Sequence, residues 1–193
     1  ALVQESMIKR PVLPVSIADK LATLVSDKLQ DYLVAHHKMS EGITKEVMAQ
    51  SRERSIIQLS ANQGPEEIEK LVAQLAQTKR LTASLSIRAL CVGNLIFFEF
   101  AMATMADIPV VNARKLIHDP GPDALKILCE KVKMPAACLP LVRSALDLVQ
   151  DVQLDDAGDK SIDKFRSRVI ERLLTSVGDM NDKDLDYLLG LIN

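Results

Sequence analysis

Apolar residues recur along this chain with the period of an α-helix, and prolines and glycines break that period again and again. In EEIEKLVAQLAQ, residues 66–77, Ile68, Leu71, Val72 and Leu75 fall at i, i+3, i+4 and i+7, one face of a helix. Pro65 and two glutamates stand at its start, where a fixed φ and carboxylates facing the helix dipole both favour initiation. Ile162, Phe165, Val169 and Leu173 make a similar stripe. Leu185, Leu188, Leu189 and Ile192 make another behind Asn181, a residue suited to capping. No segment carries the strict alternation of a half-buried strand. Breaks at Pro11 and Pro14, ANQGP (61–65), HDPGP (118–122) and QLDDAGDKS (153–161) divide the sequence into about eleven short helices by the usual punctuation rules.

Many short antiparallel helices predict an all-α fold: a right-handed array of short antiparallel helix pairs, either a HEAT-like α-solenoid or an irregular multi-helix bundle. A solenoid should leave a repeat. Setting Met39, Ile108 and Met134 in register, followed by Ser40, Pro109 and Pro135, aligns three helix-turn-helix copies. Leu33, Met102 and Leu128 lie six residues earlier, Leu29, Phe98 and Ala124 ten earlier, and Val47, Leu116 and Val142 eight later. Every aligned position is apolar. Between residues 147 and 159 stand five aspartates and no basic residue, and Lys160, Lys164, Arg166 and Arg168 follow. The expected organisation is a helical-repeat domain over 1–152, an acidic linker over 153–160 and a C-terminal helical pair over 161–193 packed on the main domain.

A chain of 193 residues with 48% hydrophobic and 26% charged residues is long and apolar enough to bury a core. Its net charge of −2 supplies no field for gathering polyanions, so neither nucleic acid nor an anionic membrane is an expected partner. GNLIFFEFAMATM, residues 93–105, holds three of the four phenylalanines but falls short of the roughly 20 apolar residues a spanning helix needs, and Glu99 interrupts it. It reads as a core helix. Cys91, Cys129 and Cys138 form no CxxC pair and have no histidine at zinc spacing, which predicts free thiols in a reducing cytoplasm and neither a metal nor a cofactor.

Few residues suggest chemistry. His36 and His37 point about 100° apart on a helix and cannot easily clamp one metal; His36 continues the stripe of Leu29, Tyr32 and Leu33. Arg52 lies four residues from both Met48 and Ile56, and Arg88 lies beside Leu85 and Val92, so each sits on an inward stripe. An arginine there is either paired in the interior or lines a groove. Glu99, on a helix apolar nearly all round, is expected to be a buried charge that accepts hydrogen bonds from Arg88 or Arg114. The line Glu99, Ala103, Ala106 is the one small or charged line of that helix. His118 and Asp119 read as a helix C-terminus followed by a turn. No nucleophile elbow, zinc-protease, phosphate-loop or dinucleotide pattern occurs.

The runs PVLP (11–14), VSDKLQDYLVAHHKMS (25–40), QSRER (50–54), LTASLSIRALCVGNLIFFEFAMATMADIPVVNARKLIHDPGP (81–122) and DLDYLLGLI (184–192) resemble the bacterial family called domain of unknown function 2336. The resemblance spans nearly the whole chain in order. It implies a cytoplasmic all-helical protein whose longer relatives carry HEAT-like repeats before this region, and it supplies no catalytic residue. Two positions depart from the family pattern: Asn94 stands where an acidic residue is expected and Asp107 where a glycine is expected. The expected function is a non-enzymatic helical scaffold that binds an unidentified protein or a second copy of itself. The alternative is a small-ligand or anion-sensing regulatory module in which Arg52, Arg88 or Arg114 lines a pocket between helices; Arg52, Arg88, Arg114 and His36 are the expected partner or anion contacts.

Overall fold

The computed structural model describes residues 14–37, 41–61, 63–154, 162–176 and 182–192. Among the described residues all regular structure is helical: α1 (Val15–His37), α2 (Glu41–Ser60), α3 (Pro65–Gln77), α4 (Ala83–Cys91), α5 (Leu95–Ala106), α6 (Val110–Ile117), α7 (Pro122–Lys131), a 3-10 turn (Ala136–Cys138), α8 (Leu139–Leu154), α9 (Ile162–Ser176) and α10 (Asp182–Ile192). The chain divides into two compact units, Ala1–Gln74 and Leu75–Asn193, with the boundary inside α3. The acidic linker expected at 153–160 lies for the most part outside the described residues.

In the first unit α1 and α2 pack against each other as a helical hairpin. Arg52 Nη1 on α2 donates to Asp27 Oδ1 on α1 at 2.9 Å. Asp19 is 2% exposed, and its carboxylate accepts a 3.0 Å hydrogen bond from Gln74 Nε2 on α3. A buried carboxylate without such donors would be costly.

In the second unit α4 is the central element, touching α5, α8, α9 and α10, while α5, α6 and α7 follow one another as sequential neighbours. The core draws on all of them: Ile87 and Leu90 from α4, Phe98 and Met102 from α5, Ala113 and Ile117 from α6, Leu128 from α7, Leu141 and Val142 from α8, Val169 from α9 and Leu188 from α10. Phe97 and Phe98 are fully buried and Phe100 nearly so, as a helix apolar on most sides requires. The Glu99, Ala103, Ala106 line is buried as well. Helix α6 packs on α5 after a bend of 113° between their axes, and small side chains at the contact let two helices approach closely.

Helix ends explain where the chain turns. Thr82 Oγ1 accepts from Leu85 N–H and Asn94 Oδ1 from Phe97 N–H, each at 3.1 Å, so α4 and α5 are both side-chain capped. Four helices end on a residue in the left-handed region: Lys79 (φ 56°), Gly93 (φ 85°), Asp107 (φ 53°) and Lys133 (φ 58°). At each, the next residue's N–H returns to a carbonyl five residues back: Arg80 to Leu75, Asn94 to Ala89, Ile108 to Ala103 and Met134 to Cys129, at 2.8–3.1 Å. That is the Schellman arrangement. Ile108 and Met134, alignable in sequence, thus occupy the same position in the same turn, whereas Met39 and Ser40 lie outside the described residues. Pro109 and Pro135 sit in extended conformation (ψ 140° and 136°), one residue before their helices begin, and so act as caps, not as first helical residues.

Candidate functional site

A polar cluster lies at the corner between α5 and α6. Glu99 projects from α5 with its side chain 8% exposed, and two groups from the end of α6 meet it. Arg114 Nε donates to Oε2 at 2.6 Å, and His118 Nε2 lies 2.9 Å from Oε1. Of the two arginines expected to reach Glu99, it is Arg114 that does. Arg114 and His118 are one helical turn apart, so both present to the same carboxylate. Their side chains are 42% and 35% exposed, and the Arg114 guanidinium lies 5.7 Å from the centre of the Phe100 ring. At a helix C-terminus, where unpaired carbonyls favour cations, this arrangement ties α6 to α5 across the bend.

His118 is the residue the sequence reading missed as a partner of Glu99. The signal was present: a residue four positions after Arg114 shares its face. Asp119 opens the following turn as expected, its Oδ1 accepting from Gly121 N–H at 2.7 Å.

The remaining arginines point elsewhere. Arg88 Nη2 donates to the carbonyl of Gly190 at 2.9 Å, supplying a cation and a donor to the last turn of α10. Arg52 pairs with Asp27 within the α1–α2 hairpin. Within the second unit, Arg88 and Arg114 thus meet different partners, Gly190 and Glu99. The side chain of His36 lies outside the described residues.

Cys91, Cys129 and Cys138 are buried and form no disulfide. Burial pushes the Cys91 thiol up to about 12 and the Cys129 thiol up to about 11, which keeps them as unreactive thiols. Among the described residues no group of three histidine, cysteine or acidic side chains is arranged to hold a metal, and no single helix is long and apolar enough to cross a membrane.

A second feature is a surface. Eight large apolar side chains are exposed among the described residues, and four of them fall within nine residues of α1: Leu24, Val25, Leu29 and Tyr32, at 46%, 65%, 47% and 54%. The others, Val111, Ile127, Leu174 and Tyr187, stand one to a helix on α6, α7, α9 and α10. Scattered apolar residues are ordinary on a protein surface, whereas a contiguous group marks a place where something docks. Val25, Leu29 and Tyr32 are spaced at i, i+4 and i+7, a single line along the helix. Asp27, which reaches Arg52 on α2, is two residues from Val25 and two from Leu29, about 200° and 160° away at 100° per residue. The apolar line therefore faces away from α2.

The model of a family described as an uncharacterised protein conserved in bacteria matches residues 1–181. No curated protein and no solved structure matches the chain. The match covers most of the sequence, and the chain belongs to the bacterial DUF2336 family.

Proposed function

We propose that this chain is a cytoplasmic, non-enzymatic helical scaffold whose α1 face binds another protein. The observation that carries the reading is the line of Val25, Leu29 and Tyr32, exposed on the side of α1 opposite Asp27 and α2. Amphipathic helices use an i, i+4, i+7 line to dock into or against a partner. A stacking of successive helices draws support from α5, α6 and α7, each of which packs on the next. A reducing compartment suits three buried cysteines that form no disulfide. The test is photo-crosslinking in the native host. A photoreactive phenylalanine analogue replacing Tyr32 should form discrete adducts, and one replacing Lys126, exposed on α7, should not. Absence of adducts at Tyr32, or equal adducts at both sites, overturns the reading.

A second reading, an anion-sensing module, rests on Glu99 holding Arg114 and His118 side by side at a half-exposed corner. Only one nitrogen of the guanidinium is engaged by Glu99, which leaves its outer edge for a planar or tetrahedral anion. Inorganic phosphate should then raise the melting temperature of the parent but not of Arg114→Met. No shift in the parent removes this reading.

A further inference from the structure

We propose that α10 is a displaceable plug, and that the groove beneath it, bounded by α4, α9 and the 3-10 turn, takes in its place an amphipathic helix of a partner protein. This interface is separate from the α1 face and does not rest on it. What covers the groove is visible, because α10 itself lies against all three elements. Leu188, Leu191 and Ile192, at i, i+3 and i+4, are at most 5% exposed and belong to the same core cluster as Ile87 and Leu90 of α4 and Val169 of α9. Such a triplet is the apolar edge of a helix that docks in a groove. Two polar contacts fix its register. Arg88 of α4 donates to the Gly190 carbonyl in the last turn, and the Tyr187 hydroxyl shares a hydrogen bond with the Cys138 thiol of the 3-10 turn.

By its own sequence α10 is a weak helix. It has 11 residues, and a helix of that length is marginal in water without its packing. It also carries Gly190 inside its last turn. The φ of Gly190 is not in the left-handed region and a Cβ built there meets nothing within 4 Å, so neither backbone conformation nor space calls for glycine. Glycine in a helix lowers its stability relative to alanine. Helix formation and docking of α10 are therefore one event. Its undocking uncovers apolar side chains of α4 and α9 together with the Arg88 donor that had met a helix end. A partner helix with leucine or isoleucine at i, i+3 and i+4, its last turn placed at Arg88, satisfies the same groups, since the carbonyls of a last turn lack partners within their own helix.

Two measurements on the whole chain test this. In hydrogen exchange, the amides of 182–192 should open locally and exchange about tenfold faster than those of α5, and Gly190→Ala should slow them about threefold while leaving α5 unchanged. The second measurement uses a fluorescent peptide with the sequence of residues 182–192 as the probe. Leu188→Glu with Leu191→Glu undocks the chain's own α10, and this opened chain should bind the peptide about tenfold more tightly than the parent, whose groove is filled. Adding Arg88→Met to the opened chain should weaken that binding. Exchange of 182–192 no faster than that of α5 overturns the proposal. So does an opened chain that loses more helical circular dichroism than α10 accounts for, because α10 is then part of the fold and not a plug. An opened chain that stays folded and binds no peptide, or binds it no better than the parent, overturns it as well.

Discussion

The Glu99 corner makes an asymmetric prediction. Its carboxylate is buried and the two side chains that meet it are half exposed, so removing the arginine should cost more than neutralising the glutamate. Arg114→Met keeps an aliphatic side chain of similar length, removes the guanidinium that lies over Phe100 and leaves a carboxylate 8% exposed with His118 alone. Breaking one side of a buried ion pair costs 3–5 kcal/mol, and the retained histidine places this change near the lower end, about 3 kcal/mol. Glu99→Gln keeps the shape and an acceptor for Arg114 Nε, so what is lost is charge assistance. That is worth about 1 kcal/mol for each of two bonds, and discounting for the solvent around Arg114 and His118 brings the sum to about 1 kcal/mol. Urea denaturation followed by circular dichroism measures both, with an unchanged slope as the check that only stability has moved. The double variant should be less destabilised than the two singles added together, because the orphaned carboxylate is then gone. A Glu99→Gln protein as destabilised as Arg114→Met, or strict additivity, would refute the picture of a buried carboxylate held by exposed partners.

Other consequences test the helix ends and the core. Asp107→Gly should stabilise by about 0.5 kcal/mol, since glycine occupies the left-handed cap without Cβ strain but loses more entropy on folding; Gly93→Ala at the equivalent cap should destabilise by about 1 kcal/mol. A Cβ at Gly93 would touch the Phe165 ring at 3.7 Å, an ordinary contact, so strain and not collision sets that cost. Arg88→Met should raise amide exchange across 182–192 and lower stability by about 1 kcal/mol, the worth of a hydrogen bond to a helix end. Cys91 and Cys129 titrate near 12 and 11 when folded, against 9.0 for the unperturbed thiol. The folded state therefore holds protons that the unfolded state releases above pH 9, and this contribution to stability should fall as pH rises from about 9 toward 12. A thiol reagent at pH 8 should label the native protein slowly and all three cysteines once it is unfolded.

The helical period made much of the fold legible. It located the helix begun by Pro65 and the burial of Phe97, Phe98 and Phe100, because a 3.6-residue pattern reports burial directly. It also marked Glu99 as a residue that needed a partner. What it could not supply was the choice between Arg88 and Arg114, which depends on a 113° bend after α5. The left-handed caps at Lys79 and Lys133 were hidden because neither position carries glycine, the residue that normally announces such a turn. The two departures from the family pattern gain a physical meaning from the helix ends. Asn94 accepts the capping bond that an acidic side chain would also accept, and Asp107 tolerates a conformation that glycine would favour. The division inside α3 was invisible because one uninterrupted stripe runs through it. The direction of the α1 face was equally hidden, since it follows from which side chain, Asp27, meets α2.

Hydroxyl-radical footprinting of the chain, purified and again in extract of its native host, tests the central claim, that the exposed line on α1 is a docking surface, most directly. Val25, Leu29 and Tyr32 should be oxidised in the purified chain and protected in the extract, while Val111 and Ile127, each 58% exposed, should react equally in both. Equal reactivity of Val25, Leu29 and Tyr32 in the two conditions would contradict the account.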